Sequence, residues 1–279
     1  DIPGNPATVT YNGDIYNHAE LATLLRAAGH RYRTACDTET IVHAYEEWGD
    51  EAVQRFRGMF AFGLWDAARR RLLLVRDRLG IKPLYWARVG DQLLFASEIK
   101  AILASGLIEP RAREELLPEL LSTRAVAGDS TLFHGVHKLP PGHLLTFEDG
   151  DVTVRSYWDL PIARRGRTVR RTTTAGVVEE FRARLEESIR LRLMADVPLG
   201  VFLSGGIDSS AIATLMSQMV DRPIQTFSVA FADRAYNELS YSRAVATAIG
   251  AEAHEVVIDD HDFFDALPKL IWHEDEPLA

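Results

Sequence analysis

From Val197 onward the chain alternates apolar strand-like runs with helical stretches three times, and few architectures satisfy that alternation. The strand-like runs are VPLGVFLS (197–204), IQTFSVAF (224–231) and AEAHEVVI (251–258); the helical stretches are 209–219, 239–249 and 260–272. Strands separated by helices pair in parallel with the helices laid over the sheet, so this half is expected to be a doubly wound parallel α/β unit. Its sharpest chemical feature is the joint Leu203-Ser204-Gly205-Gly206-Ile207-Asp208-Ser209-Ser210, which leaves the first strand and opens a helix. Unpaired backbone N–H groups and the positive helix end point at whatever sits there, which favours an anion. Gly205 and Gly206 let the backbone approach phosphate oxygens, and Ser204, Ser209 and Ser210 add hydroxyl donors. Asp208 places a carboxylate inside that cradle, and Mg2+ is the expected bridge between the two negative groups. A glycine-tightened turn capped by Ser or Asp is the plainer reading. The attached Asp-Ser-Ser moves the preference to nucleotide binding. No G-x-x-x-x-G-K-[ST] or G-x-G-x-x-G is present. A loop without Lys suits release of pyrophosphate better than transfer of a γ-phosphoryl group.

The first half has another rhythm. A strand is expected at 7–12, a helix at 18–28 stopped by Gly29, and a helix at 38–48 with Ile41, Val42, Tyr45 and Trp48 on one face. Four short β-like runs follow: MFAFGLWD, RLLLVRD, LYWAR and QLLFAS. HLLTFEDGDVTVRSYW reads as a hairpin closed by a type I′ turn at Asp149-Gly150. Residues 161–172, PIARRGRTVRRT, are basic and poor in apolar side chains, and read as a linker. An amphipathic helix at 175–194 comes next, with Val177, Val178, Phe181, Leu185 and Ile189 facing one way.

Composition sets outer limits. A chain of 279 residues accommodates two domains, and 47% hydrophobic with 25% charged residues is globular. A net charge of −9 argues against nucleic acid as a main partner, and the basic runs at 69–71 and 164–171 read as solvated turns or linkers. Nothing approaches about 18 consecutive apolar residues, so no membrane partner is expected. The start, DIPGNPATVTYNGD, lacks both the features of a signal peptide and an initiator Met. A single cysteine, Cys36, excludes an internal disulfide and fits a reducing cytosol, so a cytoplasmic location is expected.

The S-G-G-x-D-S loop resembles that of the ATP-pyrophosphatase superfamily, and the first half narrows the choice. YNGDIYN (11–17), CDTE (36–39), RGMFAF (57–62), RDRLGIKPLY (76–85), FASEIK (95–100), KLPPGH (138–143) and YW (157–158) resemble, in order, the class II glutaminase domain of asparagine synthetases. The resemblance covers essentially the whole chain. It implies an α-β-β-α glutaminase sandwich over 1–162, a linker at 163–173 and a parallel α/β ATP-pyrophosphatase domain over 174–279, the whole being a fragment lacking both ends.

By the same resemblance Asn12 and Gly13 supply the oxyanion hole for attack on the glutamine side-chain amide. Asp14 stands where the family often has Glu, and Asp37 binds the α-ammonium of glutamine. Asp37 also sits where the N-cap of the 38–48 helix belongs, so a capping role competes with that reading. Cys36 is read as a small packing residue beside the glutamine pocket. The family's nucleophile is an amino-terminal Cys expected upstream of Asp1, which leaves the fragment itself inactive. ATP is expected on Leu203, Ser204, Gly205, Gly206, Asp208, Ser209 and Ser210, with Leu203 and Val229 near the adenine; core packing is the plain alternative for those two. Arg76-Asp77 and Lys82-Pro83 are read as structural turn and ion-pair residues. HEDEP (273–277) also resembles the family and receives no role.

The implied activity is ATP-dependent conversion of aspartate to asparagine. Glutamine serves as ammonia donor, an aspartyl-adenylate forms, and AMP, pyrophosphate and glutamate are released. The expected cofactors are ATP and Mg2+, and the expected partners are glutamine, aspartate and ATP, with a homodimer left open. Two other readings remain: a different carboxylate-activating amide or lactam synthetase, and a non-catalytic remnant.

Overall fold

The computed structural model describes residues 7–161, 173–195, 197–233 and 237–276. Compactness divides the chain into two units, Asp1–Ile162 with Leu270–Ala279, and Ala163–Lys269. The expected linker lies almost wholly outside the described residues.

The first unit runs β1 (Ala7–Ile15), α1 (His18–Ala27), α2 (Asp37–Trp48), β2 (Gly58–Asp66), β3 (Arg71–Arg76), β4 (Tyr85–Val89), β5 (Gln92–Ala96), α3 (Ile99–Leu103), α4 (Leu117–Thr123), β6 (His137–Lys138), β7 (His143–Glu148) and β8 (Asp151–Ser156). Five strands form one sheet in the order β1-β2-β3-β7-β8, and three form a second in the order β5-β4-β6. Among the described residues the strand pairings in both sheets are antiparallel. Strand periodicity assigns the layers, because alternate residues face opposite ways. On β2, Phe60, Phe62 and Leu64 join the core beneath α1 and α2 with Ile15, Leu25, Ile41 and Phe56. Ala61 faces the other way, into a core shared with Leu72, Leu74, Leu84, Leu139 and Leu145. Gly63 leaves room there for the Phe95 ring, which a Cβ would meet at 2.5 Å. Ile99 and Ile102 of α3 close the far side with Ala87 and Val136. This is the expected α-β-β-α sandwich. Fully buried side chains such as Phe56, Phe60 and Leu64 each contribute about 1.5–3 kcal/mol.

Local signals behave as the sequence indicates. Asp149 and Gly150 both take positive φ, 51° and 85°, as a type I′ turn requires. Gly29 follows α1 with φ 104°. The motif given no role in the sequence belongs to this unit: Asp275 accepts hydrogen bonds from the N–H groups of Ile99 (2.5 Å) and Lys100 (3.3 Å), and Glu276 from Leu132 N–H (2.6 Å).

The second unit runs α5 (Thr174–Arg192), β9 (Gly200–Phe202), α6 (Ile207–Ser217), β10 (Gln225–Phe231), α7 (Leu239–Ala248) and β11 (Glu252–Ile258), followed by α8 (Asp260–Glu274), whose last turn belongs to the first unit. β9, β10 and β11 are parallel, in the order β11-β10-β9. One sheet face is packed: Leu203, Ala213, Met216, Ile224 and Ala246 form its core with Ile189 of α5. The other face carries Phe202, Phe227, Val229 and Val256, all exposed. The stripe expected on α5 divides likewise. Ile189 is buried, but Val177, Val178 and Phe181 are exposed, and Val178 and Phe181 border an open groove between α5 and α6.

Candidate active sites

The polar end of β1 is built around a carboxylate. Asp37 Oδ2 accepts hydrogen bonds from Tyr11 OH (2.6 Å) and Ile15 N–H (2.9 Å), tying α2 to both ends of the Asn12-Gly13-Asp14 segment. Burial, then the bond to Asp37, pushes the Tyr11 phenol far above its ordinary range, so it stays a neutral donor. Asp37 is the first residue of α2, Cys36 holds the N-cap position, and no side chain caps the helix. The capping reading of Asp37 is thereby corrected: Cys36 is the N-cap, and Asp37 Oδ2 is spent on β1. A carboxylate in the first turn also suits the positive helix end.

Asn12 occupies the opposite face of β1, where its Nδ2 donates to Ser97 Oγ at 3.4 Å, and it borders a cavity of about 110 Å³ with Phe62, Leu84 and Phe95. Gly13 pairs with Phe60, and a Cβ there would lie 2.1 Å from Met59 O and 2.7 Å from Phe60 Cα, so only glycine lets the strands approach this closely. Asp14 is half-buried, and its charge adds to the upward push on Tyr11. Cys36 is exposed rather than packed: it borders a cleft of about 250 Å³ with Ala7, Val9, Thr34, Thr38 and Glu39. Its sulfur meets Thr38 Oγ1 at 3.2 Å and Asp37 Oδ1 at 3.5 Å.

The RDRLGIKP segment is a scaffold. The buried Asp77 carboxylate accepts from the N–H groups of Phe60, Leu79, Ile81 and Lys82 at 2.9–3.2 Å. The Arg76 guanidinium donates to the carbonyls of Lys82, Leu139 and Gly80. The turn reading holds, but these charged groups satisfy backbone rather than each other.

In the second unit, Gly205 takes φ 82°, and a Cβ on it would lie 2.6 Å from Tyr241 Cβ and 2.7 Å from Ser242 N. Gly206 is the N-cap of α6, and no side chain caps the helix. Ser204 and Ser209 bring their hydroxyls to 3.1 Å, and Ser204 Oγ accepts from Gly206 N–H at 3.3 Å. Asp208 is exposed in the first turn. Ser210 is different: its hydroxyl is buried without a hydrogen-bond partner, and the residue borders the α5–α6 groove. Leu203 is core, fixed by Leu203 N–H to Phe227 O (2.9 Å) and Ser228 OH to Leu203 O (2.6 Å). Val229 is 62% exposed, so the core-packing alternative holds for Leu203 and fails for Val229. Tyr11, which anchors Asp37, was visible in the motif without a role. Ser228, Tyr241 and Ser242 carried no sequence signal, because only the fold brings them to the loop.

An α-β-β-α sandwich with a carboxylate fastened to its edge strand, followed by a parallel α/β unit with an uncapped glycine–serine cradle, is the architecture of a glutaminase-type unit joined to an ATP-pyrophosphatase-type unit. The chain belongs to the glutamine amidotransferase domain family, whose model matches residues 4–158, and residues 180–279 match the asparagine synthase family. It is 37% identical over 276 residues to asparagine synthetase [glutamine-hydrolyzing] 1 of Bacillus subtilis (strain 168), a match spanning 97% of this chain and 42% of that protein. It is 32% identical over 289 residues to asparagine synthetase [glutamine-hydrolyzing] 3 of the same organism, spanning 98% and 46%. It is also 32% identical over 290 residues to amidase chyE of Penicillium rubens, spanning 98% and 42%. The chain thus spans less than half the length of these relatives. Among the described residues no helix is long and apolar enough to cross a membrane.

Proposed function

We propose that the protein hydrolyses glutamine in its first unit and spends the ammonia, in its second, on converting aspartate to asparagine at the expense of ATP. The observation that carries this reading is the tandem order of the two matched segments, a glutamine amidotransferase domain followed by an asparagine synthase segment, in one chain. In the first unit, Asn12 Nδ2 and the Gly13 N–H are the donors for the oxyanion that forms at the glutamine side-chain amide. Asp37 keeps Oδ1 for the α-ammonium while Oδ2 stays fixed by Tyr11 and Ile15. Asp14 adds negative charge beside that ammonium. Cys36 has no part as nucleophile.

In the second unit, the Gly205 backbone, Ser204, Ser209 and the uncapped start of α6 hold the triphosphate. Val229 presents backbone to the adenine beside Leu203, whose own N–H and carbonyl are held by Phe227 and Ser228, and Ser210 contributes its position in the first turns of α6. The residues fit Mg2+: an exposed carboxylate oxygen, that of Asp208, stands beside a cradle that a Cβ would fill. Mg2+ bound there supplies positive charge against the leaving pyrophosphate. Activation by ATP is needed because a carboxylate offers ammonia no acceptable leaving group. The proposed compartment is the cytoplasm, which suits a free thiol.

The relative named as an amidase supports a second reading, an amide-forming enzyme with an acceptor other than aspartate. The deciding experiment is pyrophosphate release by the full-length protein with ATP, Mg2+ and glutamine or ammonia, with aspartate present or omitted. Aspartate-dependent release with asparagine as product is expected. Release indifferent to aspartate but driven by another carboxylate establishes the second reading, and no release with any acceptor refutes both.

A further inference from the structure

Away from both sites, three side chains of the first unit converge on one point. His30 follows the last turn of α1, and His43 and Glu46 stand three residues apart on α2, so both project from one helix face. His30 Nδ1 lies 3.2 Å from His43 Nδ1, His43 Nδ1 lies 2.8 Å from Glu46 Oε2, and His30 Nδ1 lies 3.4 Å from the same oxygen. The two imidazoles are 16% and 7% exposed.

Hydrogen bonding alone satisfies this triangle poorly. An imidazole nitrogen has one outward lobe, which carries either a proton or a lone pair. In front of His43 Nδ1 stand two atoms, His30 Nδ1 and Glu46 Oε2, and one lobe serves only one of them well. A metal ion bound between the three atoms would take one donor from each side chain. Bonds of about 2.0–2.1 Å in tetrahedral geometry hold donor atoms about 3.3 Å apart, and the three edges here are 2.8–3.4 Å.

The remaining nitrogens follow the pattern of metal-bound histidines, which turn the other ring nitrogen toward a carboxylate. His30 Nε2 is 3.1 Å from Glu47 Oε2, and His43 Nε2 faces the buried Glu39 Oε1 at 3.5 Å. At that separation His43 Nε2 has no hydrogen bond. We propose that His30, His43 and Glu46 form a binding site for a divalent transition-metal ion of the zinc class, held through Nδ1, Nδ1 and Oε2 with a fourth position left to solvent. Two imidazoles and one carboxylate suit zinc and its neighbours, whereas Mg2+ prefers oxygen alone.

The site is a clip. It joins the end of α1 to α2, and through Glu39 it reaches the 33–34 turn, whose N–H groups donate to that carboxylate at 2.8 and 2.7 Å. It depends on none of the glutaminase or synthetase roles proposed above.

The test is calorimetric titration of the full chain with ZnCl2, together with the visible spectrum of the Co2+ form and thermal unfolding with and without Zn2+. One Zn2+ per chain, a tetrahedral-type Co2+ spectrum and a Tm that rises with Zn2+ are expected, with MgCl2 failing to compete. Glu46→Gln and His30→Gln should weaken binding by roughly 100-fold or more and abolish the Tm rise, and Glu47→Gln should weaken it by roughly 10-fold. These positions are chosen over the more deeply buried His43 so that the variants keep their fold, checked by circular dichroism. A folded chain that takes up no Zn2+, or uptake unchanged in both His30→Gln and Glu46→Gln, overturns the proposal. Should one of those variants fail to fold, the other decides alone.

Discussion

Gly13 and Gly205 do the same job in different surroundings. Each stands at positive φ where a Cβ would strike neighbouring backbone, and each brings main-chain groups close to a polar site. Gly13 sits in a sheet covered on both faces, and its neighbours Tyr11 and Ile15 are fastened to Asp37. Gly205 sits at the mouth of a sheet with one face left exposed among the described residues, against Tyr241, which is 66% exposed. The first site is preorganised by packing. The second is a cradle of backbone and hydroxyls whose walls can yield. A close approach thus has structural consequences in proportion to what surrounds it.

Alanine at each position gives the largest expected effects. Gly13→Ala drives a Cβ into Met59 O with no flexible atom to move aside, so β1 must part from β2. Destabilisation on the order of 3–4 kcal/mol is expected, and with it loss of glutamine hydrolysis. Gly205→Ala also meets backbone, Ser242 N at 2.7 Å, so α7 must move and the second unit loses stability, but less than the first does with Gly13→Ala. Nucleotide binding is expected to be abolished. Gly206→Ala, whose Cβ meets only Ser204 Oγ at 3.4 Å, should spare the fold. Unfolding midpoints for the three variants check this, and Gly13→Ala melting like wild type while Gly205→Ala collapses would break the comparison.

Next comes Asp208→Asn. The exposed carboxylate has no packing role, so circular dichroism and Tm should stay near wild type while aspartate-dependent pyrophosphate release falls by roughly 100-fold. Glutamine hydrolysis, measured in parallel, should be unchanged. Near-normal release removes Asp208 from the chemistry, and joint loss with a lowered Tm makes it structural.

Asp37 gives a smaller and more diagnostic effect, because Oδ2 is held by two strong donors while Oδ1 meets only the weak Cys36 thiol donor. Asp37→Asn keeps an acceptor for Tyr11 and Ile15 but removes the charge, so KM for glutamine should rise roughly 10-fold or more with ammonia-dependent synthesis intact. Asp37→Ala adds about 1–3 kcal/mol of destabilisation by orphaning those two donors. Cys36→Ala should change neither activity. A glutaminase activity that disappears with Cys36→Ala would reverse the assignment.

What the sequence revealed follows the range of the interactions involved. The turn at Asp149-Gly150, the stop at Gly29 and the strand–loop–helix at Gly205 are local devices, written in a few neighbouring residues, and all three stand where expected. The sandwich was legible through the ordered motifs of its family. The Asp37–Tyr11 bond, the wall that Tyr241 and Ser242 set against Gly205, and the bonds from Asp275 to the start of α3 join residues far apart in the chain, which periodicity does not encode. Burial failed for the same reason. Val177, Val178 and Phe181 make a good helical stripe, yet whether a stripe is covered depends on how closely a distant element packs against it, and here the groove facing α6 is open. Cys36 looked like packing by its residue type and lies exposed at a cleft. The triangle of His30, His43 and Glu46 had no sequence signature, since one member precedes the helix that carries the other two.

The smallest effect compares one ion pair from each unit. Arg71 grips Asp50 with two bonds of 2.7 Å while Arg155 adds a third at 2.9 Å, and both Asp50 and Arg71 have side chains under 20% exposed. These bonds, Arg71's above all, hold the Asp50 carboxyl below its ordinary range. A carboxyl depressed by folding stabilises the native state above its unfolded pKa of about 3.9, and that contribution is lost as pH falls toward the folded value. In the second unit Arg243 lowers Glu255 in the same sense and at the same 2.7 Å, but Arg243 is 61% exposed, so water and salt screen the pair. All five tryptophans (48, 65, 86, 158 and 272) lie in the first unit, so their fluorescence reports chiefly its unfolding. Between about pH 6 and about pH 3, Asp50→Asn should flatten the acid-side fall of the fluorescence midpoint, whereas Glu255→Gln should barely alter the corresponding circular dichroism curve. Added salt should erase the small Glu255 effect first. If Glu255→Gln moves the acid curve as far as Asp50→Asn, enclosure is not what separates the two units.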